Sequence, residues 1–587
     1  MGRTAIGDAA ECAMPMTKPL QRWMPGLVTL LNYRREWFRH DLVAGLALIA
    51  ILIPVGMGYA EASGLPAIQG LYATILPLVA YALFGPSRIL VLGPDSTMAA
   101  VIAAIILPLS GGSVERAVAL AGMLAVLSGG WCLLIGLARL GLVADLLSKP
   151  IRIGFLNAIA LTVLVGQLPK LFGFPVAAEN LIERALGLLR GIAQGQTQPV
   201  SLLIGASCLA LIVLLKRYRR NWPGILLAML LALAVSAALN LKQTAALSVV
   251  GALPPGLPGL IWPSVSVADA LQLLPGALII ATLAFAETSV LSRALALRGG
   301  YSVSQNQEMV AMGMANAASG LFQGFPISSS ASRTPVAQSA GAKTQVTGLV
   351  GALAIALLLM LAPGLLTDLP TTALAAVVIT ACLSFSDLAG MWALWRLRRV
   401  EFVLSMTSFL GVAFVGVIQG IFVTLALAVA VLVWNAWHPY FAQLVRVDGR
   451  KGYHDAQRHP EGRRVPGLVL FRWDAQLFFA NAELFREQVL LAAAQALTAT
   501  QRVVIVADAI TDIDVTAADM LAALHGDLQR QHVELQFAGL KGGVRDRLAH
   551  YGTLAVLGRD IFWPTVGSAV DRHLADHQVV WKDWDEA

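Results

Sequence analysis

Between about Asp41 and Trp437 the chain returns again and again to apolar runs long enough to cross a lipid bilayer. A spanning helix needs about 20 such residues. Inside lipid only backbone that pairs its own polar groups is stable, which leaves helices for runs of this kind. Clear runs begin near Leu42, Ala67, Ala117, Ile151, Ser201, Ile225, Leu271, Val346, Ala373, Val403 and Gly420, and weaker ones near Asp95, Ser304 and Ser332. The pattern predicts an α-helical polytopic membrane protein with roughly fourteen crossings, some short or broken. Of the 587 residues 57% are hydrophobic and 13% charged, against about 25% charged in a soluble domain. A purely soluble enzyme, a disordered chain and a collagen-like repeat are excluded on the same grounds.

The 42 basic and 35 acidic residues leave a formal charge of +7. In a membrane protein such an excess marks cytoplasmic loops. With an even number of spans and the N-terminus inside, the cytoplasmic face receives Arg139, Lys149, Arg152, Lys216, Arg217, Arg219, Arg220, Arg293, Arg298, Lys343, Arg396, Arg398 and Arg399. The opposite face receives Arg116, Lys170, Arg184, Arg190 and Lys242. Both termini are therefore expected in the cytoplasm, with the spans in the cell (inner) membrane. No basic and aromatic alternation points to nucleic acid. Residues 1–40 are polar and mixed, which reads as a cytoplasmic segment, not a signal peptide. Cys12, Cys132, Cys208 and Cys382 lie far apart with no CxxC, and read as small buried hydrophobes, not as a disulfide or metal framework. No cofactor and no metal are expected.

After Trp437 the composition changes. His438-Pro439 ends the last apolar run, and residues 438–466 read as a polar, basic linker. From Gly467 strand-like runs (LVLFRW, Arg502-VVIVAD, Val533-ELQFAGL) alternate with helical periodicity at Asn481 to Ala496 and Ala517 to Leu528. That alternation predicts a small α/β domain over 467–575, in the cytoplasm, with 576–587 as a tail.

Two membrane segments are interrupted. One reads Ser87-RILVLGPDSTMAAVIAAI, where Gly93-Pro94 forbids a continuous helix. Pro94 suits a first helical turn, and Asp95 or Ser96 can cap one. The other reads Gly324-FPISSSASRTPVAQSAGAKTQ, an extended stretch with Pro335 in the first turn of a short helix capped near Ser332. Each is an extended piece running into a half-helix. They fall third in the first seven spans (about 41–240) and third in the second seven (about 270–437). Broken segments at matching places in two halves are the best sequence pointer to a transporter site. Seven spans per half give the halves opposite orientation, so the two N-termini can face each other at mid-membrane. Each carries roughly half a positive charge and free N–H groups. Such a pocket suits an anion.

A charge at bilayer depth costs about 2.5–3.5 kcal/mol on insertion scales, so each needs a reason. Arg333, at the start of the second half-helix, adds a full positive charge to the pocket; the alternative is a helix end that faces a cytoplasmic vestibule. Glu287 sits in Ile279-IATLAFAETSVLSRAL. Burial penalises its charged form, which makes it a proton-coupling candidate; the alternative is a carboxylate simply hydrogen-bonded to neighbours such as Thr288. Asp95 is either a helix cap or a second functional carboxylate. An ionised Glu287 or Asp95 cancels much of the positive field, and protonation restores it. This arithmetic predicts anion–proton symport.

At these residues a resemblance becomes clear. Ile53-PVGMGYAEASGLPAIQGLYATILPLVAYALFGPSRILVLGPDS is similar to the first three spans of the SulP (solute carrier 26) anion transporters. Tyr301-SVSQNQEMVAMGMANAASGLFQGFPISSSASRTPVAQSAGAKTQVTGLV carries the family's NQE and SRT…AGAKTQ elements in order. Leu470-FRWDAQLFFANAELF and Ile510-TDIDVTAADML resemble the family's STAS domain. The resemblance runs from about Asp41 to Asp571. It implies a seven-plus-seven inverted repeat divided into core and gate domains. It implies an anion site between the third and tenth spans, carried by Gly93, Pro94, Asp95 and Ser96 and by Ser332, Arg333 and Thr334, with Val55 and Tyr59 of the first span lining it. Glu287 matches the family position tied to proton coupling. The family commonly forms homodimers.

Two positions depart from the family. Val55 stands where many members have glutamine, which removes an amide donor. Asp95 stands where many have an apolar residue, and an extra carboxylate opposes a dianion unless it is protonated or paired with a cation. STAS domains also resemble anti-sigma-factor antagonists, in which a Ser or Thr after an acidic loop is phosphorylated. Thr516 is the matching residue, either a target for a cytoplasmic regulator or simply the cap of its helix.

The expected activity is secondary active transport of a small anion, sulfate foremost, by alternating access with proton coupling. A sodium-coupled bicarbonate importer and an anion channel or exchanger are the alternatives. An enzyme with a membrane anchor is disfavoured, because no metal-ligand cluster or Ser/His/Asp arrangement lies near the STAS strands.

Overall fold

The computed structural model describes residues 23–139, 149–176, 178, 180–219, 222–330 and 332–584. Cys12, Arg220, the first 22 residues of the N-terminal segment and the last three of the tail lie outside the described residues. The chain divides into two compact units, Met1–Ala426 and Leu427–Ala587.

The first unit is helical. It runs through α1 (Pro25–Leu31), α2 (Phe38–Ala62), α3 (Ala67–Phe84), the short strand β1 (Leu92–Gly93), α4 (Ser96–Ser110), α5 (Val114–Leu137), α6 (Lys149–Phe172), α7 (Leu181–Ala193), α8 (Pro199–Tyr218) and α9 (Gly224–Ala238). It continues through α10 (Val267–Gly299), α11 (Gln305–Leu321), β2 (Ser328–Ser329), α12 (Arg333–Ser339), α13 (Val346–Leu361), α14 (Thr371–Phe385), α15 (Leu388–Leu397) and α16 (Arg399–Leu410), and α17 (Val417–Trp437) runs across the division at Ala426. Among the described residues eight helices are long and apolar enough to cross a membrane, with three shorter apolar helices at α4, α9 and α13. Local chemistry sets the ends. Ser113, Asn180 and Ser266 accept backbone N–H groups at the starts of α5, α7 and α10. Gly111 and Gly300 end α4 and α10 in the left-handed conformation.

These helices pack as two bundles. One holds α2–α5 and α10–α13, the other α6–α9 and α14–α16. Without water between helices the attraction comes from close van der Waals contact, so small residues sit where helices cross. On α5, Gly122 and Gly129 recur every seven residues against Gly320 and Gly313 of α11. A methyl at Gly320 would lie 2.3 Å from the Gly122 carbonyl oxygen, and one at Gly129 would lie 2.7 Å from that of Gly313. Buried polar knots tie the ends. The Asp41 carboxylate at the start of α2, fully buried, accepts from the Lys343 and Thr344 amides at 2.6 and 3.0 Å and from the Thr344 and Thr347 hydroxyls at 2.7 and 3.0 Å. That set of donors offsets the cost of burying the charge.

The second unit is an α/β domain with a six-stranded sheet, in order β4-β3-β5-β6-β7-β8. Its elements are β3 (Phe441–Arg446), β4 (Tyr453–Asp455), β5 (Leu468–Trp473), α18 (Ala482–Ala494), β6 (Arg502–Val506), α19 (Val515–Arg530), β7 (Glu534–Ala538), α20 (Gly542–His550), α21 (Thr553–Leu557), β8 (Phe562–Trp563) and α22 (Val566–Asp576). Strands β5 to β8 are parallel, and β3 joins β5 antiparallel. The expected linker over 438–466 is thus corrected. Much of it is a hairpin, β3–β4, that belongs to the sheet. Its many charges hid the alternation of Phe441–Arg446, whose inward residues Ala442 and Leu444 are buried.

Gly320→Val places methyls against the α5 backbone and is expected to destabilise the helix pair by about 1–3 kcal/mol. Thermal unfolding in detergent should show a lowered Tm. Gly130→Val, on the same helix as Gly122 but facing open space, should not.

Candidate functional site

Both interruptions form as the sequence demands, and they meet. β1 and β2 pair antiparallel, Leu92 opposite Ser329 and Gly93 opposite Ser328. Each strand leads into a helix, so α4 and α12 leave one small ribbon in opposite directions with their N-termini beside it. The ribbon is braced on all sides. Asn316 of α11 pairs with both backbone groups of Ile327, at 2.8 and 3.1 Å. The Thr288 hydroxyl donates to Ser329 Oγ at 3.0 Å. Gln345 Nε2 donates to the Ser87 and Leu90 carbonyls, both at 2.9 Å.

Local details differ from the sequence reading. Pro94 lies before the first turn of α4, not in it, because Asp95 is the cap; its Oδ2 accepts the Thr97 N–H at 3.0 Å. At α12 the cap is not Ser332, which has helical dihedrals and no capping bond. Ser330 Oγ takes the Arg333 N–H instead, at 3.1 Å, and the Ser330 carbonyl takes that of Thr334 at 3.2 Å. The Thr334 hydroxyl is also engaged, accepting from the Val91 amide at 3.1 Å. Several of the backbone donors expected to face an anion therefore already have partners, and α12 is only seven residues long.

The strongest positive group left is the Arg333 side chain, which is fully buried. Its Nη2 donates to the Pro94 carbonyl at 2.6 Å, joining the second interruption to the first. Among the described residues its Nε and Nη1 have no hydrogen-bond partner. A buried unpaired donor costs about 1–3 kcal/mol, more when charged. Gly93 makes room for it: φ is +147°, and a methyl there would lie 2.9 Å from Arg333 Nη1. Tyr59 and Val55, one turn apart on α2, are both buried, and Tyr59 interacts electrostatically with Asp95 and Arg333. The structure thus brings Tyr59, Gly93, Pro94, Asp95, Ser96 and Arg333 together. Ser332 is exposed on the flank.

Glu287 of α10 reaches the same junction. It does not bond Thr288; its Oε1 lies 2.7 Å from the Thr97 hydroxyl oxygen, and its Oε2 accepts from Ser328 Oγ at 2.9 Å. Thr97 also contacts Asp95 Oδ2 at 2.8 Å. Sequence reasoning missed Thr97 and Ser328. Nothing near Thr97 signals a partner 190 residues away, although a serine-rich extended stretch is a reasonable place to seek hydroxyl donors. In the α/β unit Thr516 is exposed near the start of α19. It does not cap that helix; Asp514 does, accepting from Ala517 at 2.8 Å.

Two half-helices meeting on a strand ribbon inside a bundle of apolar helices, with a soluble α/β unit appended, define a multi-pass membrane transporter. The chain belongs to the sulfate permease family, whose model matches residues 38–408; a STAS domain model matches 459–569. It is 37% identical over 548 residues to a "Probable sulfate transporter" of Mycobacterium tuberculosis, covering 93% of this chain and 97% of that one. It is 30% identical over 491 residues to solute carrier family 26 member 6 of Homo sapiens, covering 80% and 64%. Murine solute carrier 26 family member A9 in its inward-facing state shares the fold, with a TM-score of 0.88 at 22% identity over 97% of both chains. The transmembrane domain of a cyanobacterial bicarbonate transporter, BicA, superposes at TM-score 0.57 with 22% identity, over 68% of this chain and 98% of that one. The chain is accordingly an anion transporter and not an enzyme.

Gly93→Val drives a branched side chain into the Arg333 guanidinium. Anion uptake into vesicles should fall by roughly tenfold or more, the equivalent of about 1.4 kcal/mol in site affinity. Size-exclusion chromatography should still show the folded protein.

Proposed function

We propose that this chain carries sulfate across the cell membrane by alternating access, driven by protons. The observation that carries the reading is Arg333, a fully buried guanidinium with two donors unpaired among the described residues. An oxyanion has the lone pairs those donors lack, and charge-assisted bonds to it are about twice as strong as neutral ones. The relatives' sulfate transport supports the choice of anion. Val55 brings no amide donor to the site, so recognition falls on Arg333, Ser96, Tyr59 and the ends of α4 and α12, with Ser332 at the rim and Thr334 holding Val91. Glu287 and Asp95 are the coupling acids.

Both termini are placed in the cytoplasm and the spans form two inverted halves of seven. The bias in loop charge supports this. On the face assigned outside, Arg116 is paired with Asp269 at 3.2 Å and Lys170 with Glu61 at 3.0 Å. The chain works as a homodimer, with the STAS domain offering the exposed Thr516 to a cytoplasmic regulator.

Labelled sulfate uptake into proteoliposomes tests the reading. An inward proton gradient should concentrate sulfate, a sodium gradient at fixed pH should not, and Glu287→Gln should abolish the response to protons. Sodium-driven bicarbonate uptake in the same vesicles would replace this function with the bicarbonate importer. Large uncoupled currents would replace it with a channel.

A further inference from the structure

The Thr97 hydroxyl lies 2.8 Å from Asp95 Oδ2 and 2.7 Å from Glu287 Oε1. A threonine hydroxyl has one proton to donate and lone pairs to accept with. It cannot donate to two carboxylates at once, so one acid must donate to it. The remaining contacts fix the direction. Asp95 Oδ2 is already an acceptor, holding the Thr97 N–H as the cap of α4. Glu287 Oε2 is an acceptor as well, taking the Ser328 hydroxyl. That leaves Glu287 Oε1 as the donor to Thr97, and Thr97 as the donor to Asp95.

We propose that Asp95, Thr97 and Glu287 form a single proton relay that holds one proton on Glu287 when no anion is bound and delivers it to Asp95 when an anion enters. This deepens, and rests on, the proton-coupled reading above. In the delivery step the Glu287 Oε1–H bond breaks as a new O–H bond forms on Thr97 Oγ1. The hydroxyl's original proton leaves Thr97 for Asp95 Oδ2. One proton moves, Thr97 is unchanged, and a negative charge shifts from Asp95 to Glu287.

The surrounding charges give the step its purpose. Asp95 faces Arg333 from α12 and Tyr59 from α2, while Glu287 faces Arg152 from α6. Without anion, the ionised Asp95 balances Arg333, so the buried pair is close to neutral. An incoming anion meets that carboxylate as a like charge. Moving the proton onto Asp95 removes the repulsion and leaves Arg333 fully positive for the ligand. The displaced negative charge rests on Glu287, where Arg152 acts on it. Asp95 thus becomes compatible with an anion site exactly when one is occupied, and the acid that departs from the family pattern acquires a role.

Infrared difference spectroscopy of the full-length protein in lipid reads the protonated carboxyls directly, with sodium sulfate as the probe. The sulfate-free protein should show a carboxylic acid band that is lost in Glu287→Gln. Adding sulfate should remove that band and raise another, and Asp95→Asn should abolish the new one. Thr97→Val should leave the sulfate-free band and block the transfer, and Thr97→Ser should restore it. Glu308, a separate buried acid bonded to Tyr81 and Ser87, is the control: Glu308→Gln should leave the sulfate-induced change intact. The relay is overturned if the sulfate-free band survives Glu287→Gln, or if Thr97→Val transfers the proton as well as wild type. A relay seen in the spectra while uptake ignores the proton gradient supports the relay and overturns the coupled transport reading.

Discussion

The bond from Arg333 to the Pro94 carbonyl, under the β1–β2 ribbon, is the contact on which the transport unit depends. An interrupted helix in lipid leaves backbone groups that water cannot reach, and each must find a partner within the protein. Here the two breaks supply each other. The strands pair, Thr334 holds Val91, and the guanidinium holds the carbonyl that Pro94 presents. Joining two costly features in one place gives one braced junction instead of two independent kinks. The remaining orphan donors on Arg333 are the surplus that a ligand can satisfy.

Around that junction the structure spends its polar residues on bracing. Asn316, Thr288 and Gln345 are all buried or nearly so, and all bond to the ribbon or to the segment leading into it. Glu308 of the NQE element and Asp41 at the start of α2 do similar work nearer the helix ends. Buried polar networks of this kind are stable only when every member is satisfied. The close glycine crossing of α5 and α11 gives the bundle the rigidity on which such satisfaction relies. The bracing leaves over a few polar groups: Arg333, Tyr59, Ser96 and the two acids.

The sequence carried the architecture because its signals are local. Apolar length marks the spans, Gly93-Pro94 and Pro326 mark the breaks, and the motifs quoted above mark the family. The cap at Asp95 was legible as one of two possibilities. The cap at α12 was not: Ser332 has the right residue type, yet Ser330 takes the bond because the chain is already helical at Ser332. The hairpin β3–β4 was hidden by its charges. In a sheet edge that keeps one face toward solvent, alternation matters more than mean polarity.

Composition, segment length and the placement of proline and glycine determined that this chain crosses a membrane, breaks two helices at matching points and carries an α/β unit behind them. These follow from the chain's own covalent preferences and its solvent. Which groups meet at the breaks was decided only by tertiary structure. Thr97 reads in sequence as an ordinary residue after a cap, and Glu287 as a lone acid in an apolar helix. Packing α4 against α10 puts one hydroxyl between two carboxylates, and the number of protons a hydroxyl owns then dictates the rest.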